Sequence, residues 1–159
     1  MALPGSYASY CIEPKPREDS VQPAGIDLSV DEIYSFTSNG KLLTTSRSLP
    51  AARKVELQNN VWRLMPGAYK VVFAEAVRIP PSALGLCFPR SSLLRMGATV
   101  SCGVWDPGYY GRGEALLIVG NPKGIEIEKG ARVAQLILIR LLPSLGEVYK
   151  GLYLGENLA

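Results

Sequence analysis

Between Val100 and Glu114 the chain reads VSCGVWDPGYYGRGE, and in the middle of that run a carboxylate and two tyrosines stand together at a turn. The run opens with β-prone residues and breaks at Asp106-Pro107-Gly108, then again at Gly111 and Gly113, the pattern of a strand entering a tight, exposed turn. Loop tips on a rigid β scaffold are where binding and catalytic groups gather, because the strand fixes the position while the loop frees the side chain. Asp106 and Tyr109 are therefore the first candidates for chemistry. A structural alternative stands beside this one: an Asp-Pro-Gly turn whose carboxylate bonds its own backbone, with Tyr109 and Tyr110 as rim aromatics.

Three other stretches carry polar groups in telling places. Phe88 to Arg95, FPRSSLLR, offers hydroxyls, Arg90 and Arg95, and backbone N–H groups at a helix start, where the free amides and the positive end of the dipole favour an anion. The plain alternative is a capped helix with Ser at its N-cap and Gly97 at its stop. Asp27 lies between two apolar residues of a β-type run, which points to a carboxylate paired within the fold. Gln135 is the one polar residue between Val133 and Ile139, so it ties strands together or reaches a ligand.

These groups need a scaffold, and the chain is long enough to supply one. Its 159 residues can bury one core and do not call for two domains. With 47% apolar and 19% charged residues it reads as a globular chain rather than a disordered one. A net charge of +3 gives little electrostatic support for a nucleic-acid or membrane-surface role, whereas a few cations aimed at one anionic small molecule fit it. No apolar run approaches the roughly 20 residues that cross a bilayer, and the first residues lack a basic flank followed by an apolar segment. A cytoplasmic protein is expected. There is no histidine, which removes Ser-His-Asp and Cys-His triads and the usual zinc-activated hydroxide. Cys11, Cys87 and Cys102 show no metal-ligand spacing and read as small buried hydrophobes.

From Gly25 onward, short β-type runs alternate with turn residues. Strands are expected near Ile26 to Val30, Ile33 to Phe36, Lys41 to Thr45, Lys54 to Leu57, Ala68 to Phe73, Ala76 to Ile79, Leu86 to Phe88, Ala98 to Trp105, Ala115 to Val119, Ile125 to Ile127 and Arg132 to Leu142. Such spacing favours an all-β sandwich or barrel, with one short helix near Arg90 to Gly97. Residues 1–23, with Pro4, Pro14, Pro16 and Pro23, read as an irregular or extended arm. Residues 147–159 show no apolar period and read as a tail that orders only against something else.

Taken together, four segments stand in the order and near the spacing of the motifs of the trimeric dUTPase family. Ala24-Gly25-Ile26-Asp27-Leu28 resembles the first motif and Pro89-Arg90-Ser91-Ser92-Leu93 the second. Gly103-Val104-Trp105-Asp106 with Tyr109 resembles the third, and Gly130-Ala131-Arg132-Val133-Ala134-Gln135-Leu136 the fourth. The resemblance, closest to archaeal-type members, implies a single domain over residues 1–159 with a distorted β jelly roll of the β-clip type. It also implies a homotrimer with sites built by neighbouring subunits and closed by the C-terminal tail. It implies hydrolysis of dUTP to dUMP and pyrophosphate, with Asp106 as general base and Tyr109 packed on the deoxyribose. Arg90, Ser91, Ser92 and Gln135, with Arg95 beside them, would serve the phosphates. The backbone from Val100 through Gly103 to Val104 would read uracil. Mg²⁺ would be held by the triphosphate rather than by protein ligands.

Two departures qualify the likeness. Arg112 stands where the third motif usually carries a glutamate, with Glu114 two residues on. The usual fifth motif is replaced by Tyr149-Lys150-Gly151-Leu152-Tyr153-Leu154-Gly155-Glu156-Asn157, which resembles the tail of the related dCTP deaminases; there Lys150 would supply the phosphate cation and Tyr153 the stacking aromatic. A dCTP deaminase, alone or combined with dUTP hydrolysis, is the competing expectation. It requires a strand glutamate that Ala115-Leu116-Leu117-Ile118-Val119 lacks. A non-catalytic β domain is the third.

Overall fold

The structure is a computed structural model that describes residues 1–142 and 148–158. In chain order its strands are β1 (Ile12–Glu13), β2 (Val21–Gln22), β3 (Gly25–Phe36), β4 (Lys41–Leu42), β5 (Arg47–Ser48), β6 (Ala52–Lys54), β7 (Val61–Leu64) and β8 (Gly67–Phe73). They continue as β9 (Ala76–Arg78), β10 (Ala83–Pro89), β11 (Ala98–Ser101), β12 (Tyr110–Gly111), β13 (Glu114–Val119), β14 (Ile125–Glu128) and β15 (Arg132–Arg140). Helix α1 spans Gly5–Ala8 and α2 spans Ser91–Arg95. The all-β class expected from the strand spacing is what forms.

The main sheet runs β10-β15-β3-β8-β13-β11, all neighbours antiparallel. Its two ends meet. Just past β11, Trp105 exchanges both backbone hydrogen bonds with Gly85 of β10, at 2.8 and 3.0 Å, so the sheet curls into a nearly closed barrel. Closure removes sheet edges that would otherwise be open to pairing, and it leaves the residue after Trp105, Asp106, at the rim.

Period-two alternation sets which side chains enter the barrel. On β13, Ala115, Leu117 and Val119 are buried while Leu116 and Ile118 face outward. On β15, Leu136 and Leu138 are buried with Ile137 and Ile139 on the other face. One cluster joins these to Ile26, Leu28, Trp62 and Phe73.

The structure changes several expectations. The two runs expected at Ile26 to Val30 and Ile33 to Phe36 form one strand, because a register shift between Val30 and Glu32 absorbs Asp31. The bulge keeps both Val30 and Ile33 buried and turns Asp31 toward Arg112 and Lys129. Strand β7, not among the expected strands, pairs with β14 and buries Trp62, whose Nε1 donates to the Val55 carbonyl at 3.1 Å. The strand expected through Trp105 ends at Ser101, and the one expected at Lys54 to Leu57 sits earlier, as β6.

Helix α2 has Arg90, not a serine, at its N-cap, with no side-chain capping bond. Its Ser91 and Ser92 are exposed. The N-terminal arm is not loose: it holds α1, β1 and β2, the last two pairing with β9 and β3, and Leu3 N–H donates to the Leu138 carbonyl at 2.8 Å. Cys87 on β10 and Cys102 after β11 are a disulfide pair rather than two separate apolar fillers, because closure of the barrel sets their strands side by side. Cys11 alone behaves as a buried apolar residue. The expected tail is described from Val148 to Leu158; Glu147 and Ala159 lie outside the described residues. Among the described residues no helix is long and apolar enough to cross a membrane.

Candidate active site

The turn that carries Asp106 is pinned on both sides. Trp105 is bridged to β10, and beyond the turn Tyr110 and Gly111 form β12, paired with β9. Between them Gly108 N–H donates to the Ile79 carbonyl at 3.0 Å, and Ile79 N–H donates to the Tyr109 carbonyl at 2.8 Å. Gly108 takes φ +83°, which a side chain would strain. Held this way, Asp106 is exposed, and among the described residues its carboxylate has no hydrogen bond or ion pair. Its backbone carbonyl, not its side chain, closes the turn by accepting Tyr109 N–H at 3.1 Å. The alternative of a carboxylate consumed by its own turn therefore does not hold.

Aromatic packing supports the turn from below. The Trp105 indole stacks on Tyr109, centroids 5.6 Å apart and planes 3° from parallel, and meets Phe73 edge-on at 6.1 Å. A Cβ on Gly113 would run into that indole, so glycine is the residue that admits the stack. Offset stacking adds about 1 kcal/mol beyond the area buried.

Asp106 borders a cavity of about 420 Å³. Gly103, Val104 and Trp105 form its wall on the turn side, and the root of the β4–β5 hairpin, Phe36, Leu49, Pro50 and Ala52, stands opposite. The tail contributes Tyr149, Tyr153 and Glu156, and the sheet contributes Lys70 and Glu114. Lys70 Nζ pairs with Glu114 Oε1 at 2.8 Å and lies 4.8 Å over the Tyr34 ring. Tyr109, only 3% exposed, donates its hydroxyl to Glu156 Oε1 at 2.7 Å. Burial, and next the Glu156 carboxylate, push the Tyr109 phenol far above its usual range. Burial likewise raises Glu156, against the opposing bond from Tyr109. Of the three carboxylates at the cavity, Glu114 and Glu156 are engaged, and Asp106 is the one without a partner among the described residues.

A second polar centre lies by α2. Asp27, 2% exposed, receives Arg90 Nε at 3.1 Å, Gln22 Nε2 at 3.1 Å and Arg132 Nη1 at 3.6 Å. Burial pushes its carboxyl up, opposed by the two guanidiniums. The expected pairing of Asp27 within the fold is thus present, and it fixes Arg90 beside the exposed Ser91, Ser92 and Arg95. Gln135, on the outward face of β15, is half-buried, and its side-chain amide makes no hydrogen bond among the described residues.

Of the residues singled out from sequence, Asp106, Gly103, Val104, Tyr109 and Tyr153 meet at the cavity. Val100 does not: it is buried within β11, opposite Leu117, so the turn-side wall begins at Gly103. Arg90, Ser91, Ser92, Arg95 and Gln135 are not among the residues lining this cavity, and Lys150 is exposed without a described partner. Sequence reasoning missed Lys70, Glu156, Tyr149 and the hairpin root. Only Tyr149 carried a signal, as an aromatic in the tail; the others become neighbours of Asp106 through pairing and docking alone.

The chain is similar to known proteins over most of its length. The family model described as dCTP deaminase-like matches residues 8–141. A protein of Aeropyrum pernix named probable deoxyuridine 5′-triphosphate nucleotidohydrolase is 50% identical over 139 residues, 87% of this chain and 87% of its own. Among solved structures, the 2′-deoxycytidine 5′-triphosphate deaminase from Agrobacterium tumefaciens superposes with a TM-score of 0.62 at 19% identity, over 86% of this chain. This chain spans about half of that deaminase, 47%. The dUTPase of EIAV superposes with a TM-score of 0.53 at 17% identity, over 85% of this chain and 88% of its own. At these identities the two structures speak to the fold, a jelly-roll-like β barrel.

Proposed function

Because the chain belongs to the dCTP deaminase-like family, we propose that it is a dUTP diphosphatase, converting dUTP and water to dUMP and pyrophosphate. The single observation that carries the reading is Asp106: an exposed carboxylate on a rigid turn, at the mouth of a nucleoside-sized cavity, with no partner among the described residues. The half-identical Aeropyrum pernix relative, named for the same hydrolysis, supports it.

Phosphoryl transfer asks a protein for positioning and charge neutralisation more than for covalent help. Asp106 orients a water and takes its proton as the water attacks the α-phosphate in line. Gly103 and Val104 present main-chain groups to the pyrimidine edge. A base with the wrong donor–acceptor pattern leaves buried groups unpaired at about 1 to 3 kcal/mol each. The apolar hairpin root and the tail tyrosines exclude water around the nucleoside. Arg90, held by Asp27, serves the phosphates together with Ser91, Ser92, Arg95 and Gln135. Since these lie outside the cavity of their own chain, we assign them to a nucleotide seated in a neighbouring copy of a homotrimer.

Among the described residues no three carboxylate or cysteine groups converge as a metal site. Mg²⁺ would arrive on the triphosphate and be held by its oxygens and water rather than by protein ligands, leaving the Asp106 carboxylate to the attacking water. When bound, the ion supplies neutralisation of phosphate charge.

Incubating the protein with dUTP and with dCTP, and measuring pyrophosphate and ammonia side by side, tests the proposal. Pyrophosphate from dUTP without ammonia from dCTP is expected. Ammonia from dCTP would favour the deaminase, for which Glu114 and Glu156 are the cavity's carboxylates besides Asp106. No product from either substrate would favour a non-catalytic domain.

A further inference from the structure

We infer that Arg112 and Asn157 form a clamp that fixes the C-terminal tail over the cavity, Arg112 acting as a positioning residue for Glu156 and the tail tyrosines. The inference rests on the cavity being the nucleotide site. Neither clamp residue lines that cavity.

The geometry is two-sided. On the body side, Arg112 Nε donates to the Phe73 carbonyl at 2.9 Å and Nη2 pairs with Asp31, whose other oxygen takes Lys129 Nζ at 2.9 Å. The guanidinium is thereby anchored to β8 and to the bulge of β3. On the tail side, Arg112 N–H donates to the Glu156 carbonyl at 2.9 Å and Nη1 reaches the Asn157 carbonyl at 3.4 Å. The Arg112 carbonyl accepts Asn157 Nδ2 at 2.9 Å. A planar fork of donors can serve both sides at once, which a lysine ammonium on a flexible stem does not.

Asn157 is suited to its half. It sits at φ +56°, a left-handed conformation that asparagine tolerates better than most residues, and in that pose its main-chain oxygen and its side-chain amide both meet Arg112. Its Nδ2 also approaches Glu114 Oε1 at 3.5 Å. Two residues earlier, Gly155 N–H donates to the Tyr110 carbonyl at 2.7 Å. The tail is therefore laid along β12 by backbone bonds and locked at its end by Arg112. The consequence falls on Glu156 between them, whose carboxylate is delivered to the Tyr109 hydroxyl.

The test uses the full chain with Asn157→Gly, Arg112→Ala and Arg112→Lys. Asn157→Gly keeps the left-handed backbone accessible and removes only the amide. Amide hydrogen exchange of residues 153–157 is measured without nucleotide, together with melting temperature and, for dUTP, KM and kcat. Expected is exchange faster on the order of tenfold in each single variant, the equivalent of one or two hydrogen bonds. KM rises by a similar factor, and the Asn157→Gly/Arg112→Ala double variant is no worse than the worse single. Arg112→Lys should restore the melting temperature through Asp31 yet leave the tail fast. A merely structural arginine predicts the opposite: a silent Asn157→Gly, and tail exchange that tracks the melting temperature. Unchanged exchange in Asn157→Gly, or additive effects in the double variant, would overturn the clamp. The exchange measurement decides it even if dUTP is not turned over, so failure of the hydrolase reading is told apart from failure of the clamp.

Discussion

The Tyr109 hydroxyl donates to Glu156 at 2.7 Å across 47 positions of sequence, joining the turn that carries Asp106 to the tail that covers it. The donor already stacks on Trp105 and the acceptor already stands on a docked tail, so this bond reports whether the cavity is closed.

Docking of the tail should depend on pH through Glu156. Burial raises its carboxyl, with Glu114 adding to the rise and Lys70 and the Tyr109 bond opposing it. A docked tail thus takes up a proton as pH falls. Docking is strongest below the ordinary glutamate range and weakens as pH rises through the raised value. Hydrogen exchange of residues 153–157 should slow as pH is lowered from neutrality toward the ordinary glutamate range, after correction for intrinsic rates. Glu156→Gln, neutral and still able to accept from Tyr109, should flatten that dependence.

Asp106→Asn should bind nucleotide and hydrolyse dUTP more slowly by about 10² to 10⁴, the usual worth of a positioned base. An exposed residue without a described partner contributes little to stability, so the melting temperature should stay within about 2 °C, on the order of 0.5 kcal/mol. Near-normal turnover in a dUTP hydrolysis assay would remove Asp106 from its role.

Reducing the Cys87–Cys102 disulfide should destabilise the barrel closure and the adjoining turn. The cross-link spans 15 residues, for which loop-closure entropy predicts about 3 kcal/mol. Thermal melts with and without reductant measure the loss. Cys87→Ser should reproduce the reduced value and no longer respond to reductant.

Asp27→Ala should leave Arg90 and Arg132 without their shared carboxylate. Breaking a buried pair costs about 3 kcal/mol at the lower end of the range, appropriate here because both guanidiniums reach water. That corresponds to a melting temperature lower by roughly 6 to 12 °C for a chain of this size. Calorimetry reads the stability. A rise in KM for dUTP beyond that of a control variant of similar melting temperature would show that Asp27 also orients Arg90.

Much of the architecture was legible because alternation and turn residues are local. Val-Ala-Gln-Leu-Ile-Leu-Ile and Ala-Leu-Leu-Ile-Val could hardly be anything but strands, and Asp-Pro-Gly marked a turn that the fold does place at the rim. Asp31 misled as an apparent break in β3, since a bulge and a strand end look alike until a partner strand shows which one pairs. The arm misled as well: its prolines forbid long regular elements, yet short ones formed because β9 and β3 offered edges to pair with.

By itself the sequence determined the all-β class, the exposed carboxylate at residue 106 and the aromatic three positions later, because residue types at fixed offsets set turn geometry and face. Tertiary structure alone decided that Lys70, Glu114 and Glu156 share a cavity with Asp106, that Cys87 meets Cys102, and that Arg112 holds Asn157. Those relationships join residues 8 to 86 positions apart. They exist only once the barrel has closed and the tail has docked, since sequence spacing carries no trace of which distant backbone groups will pair.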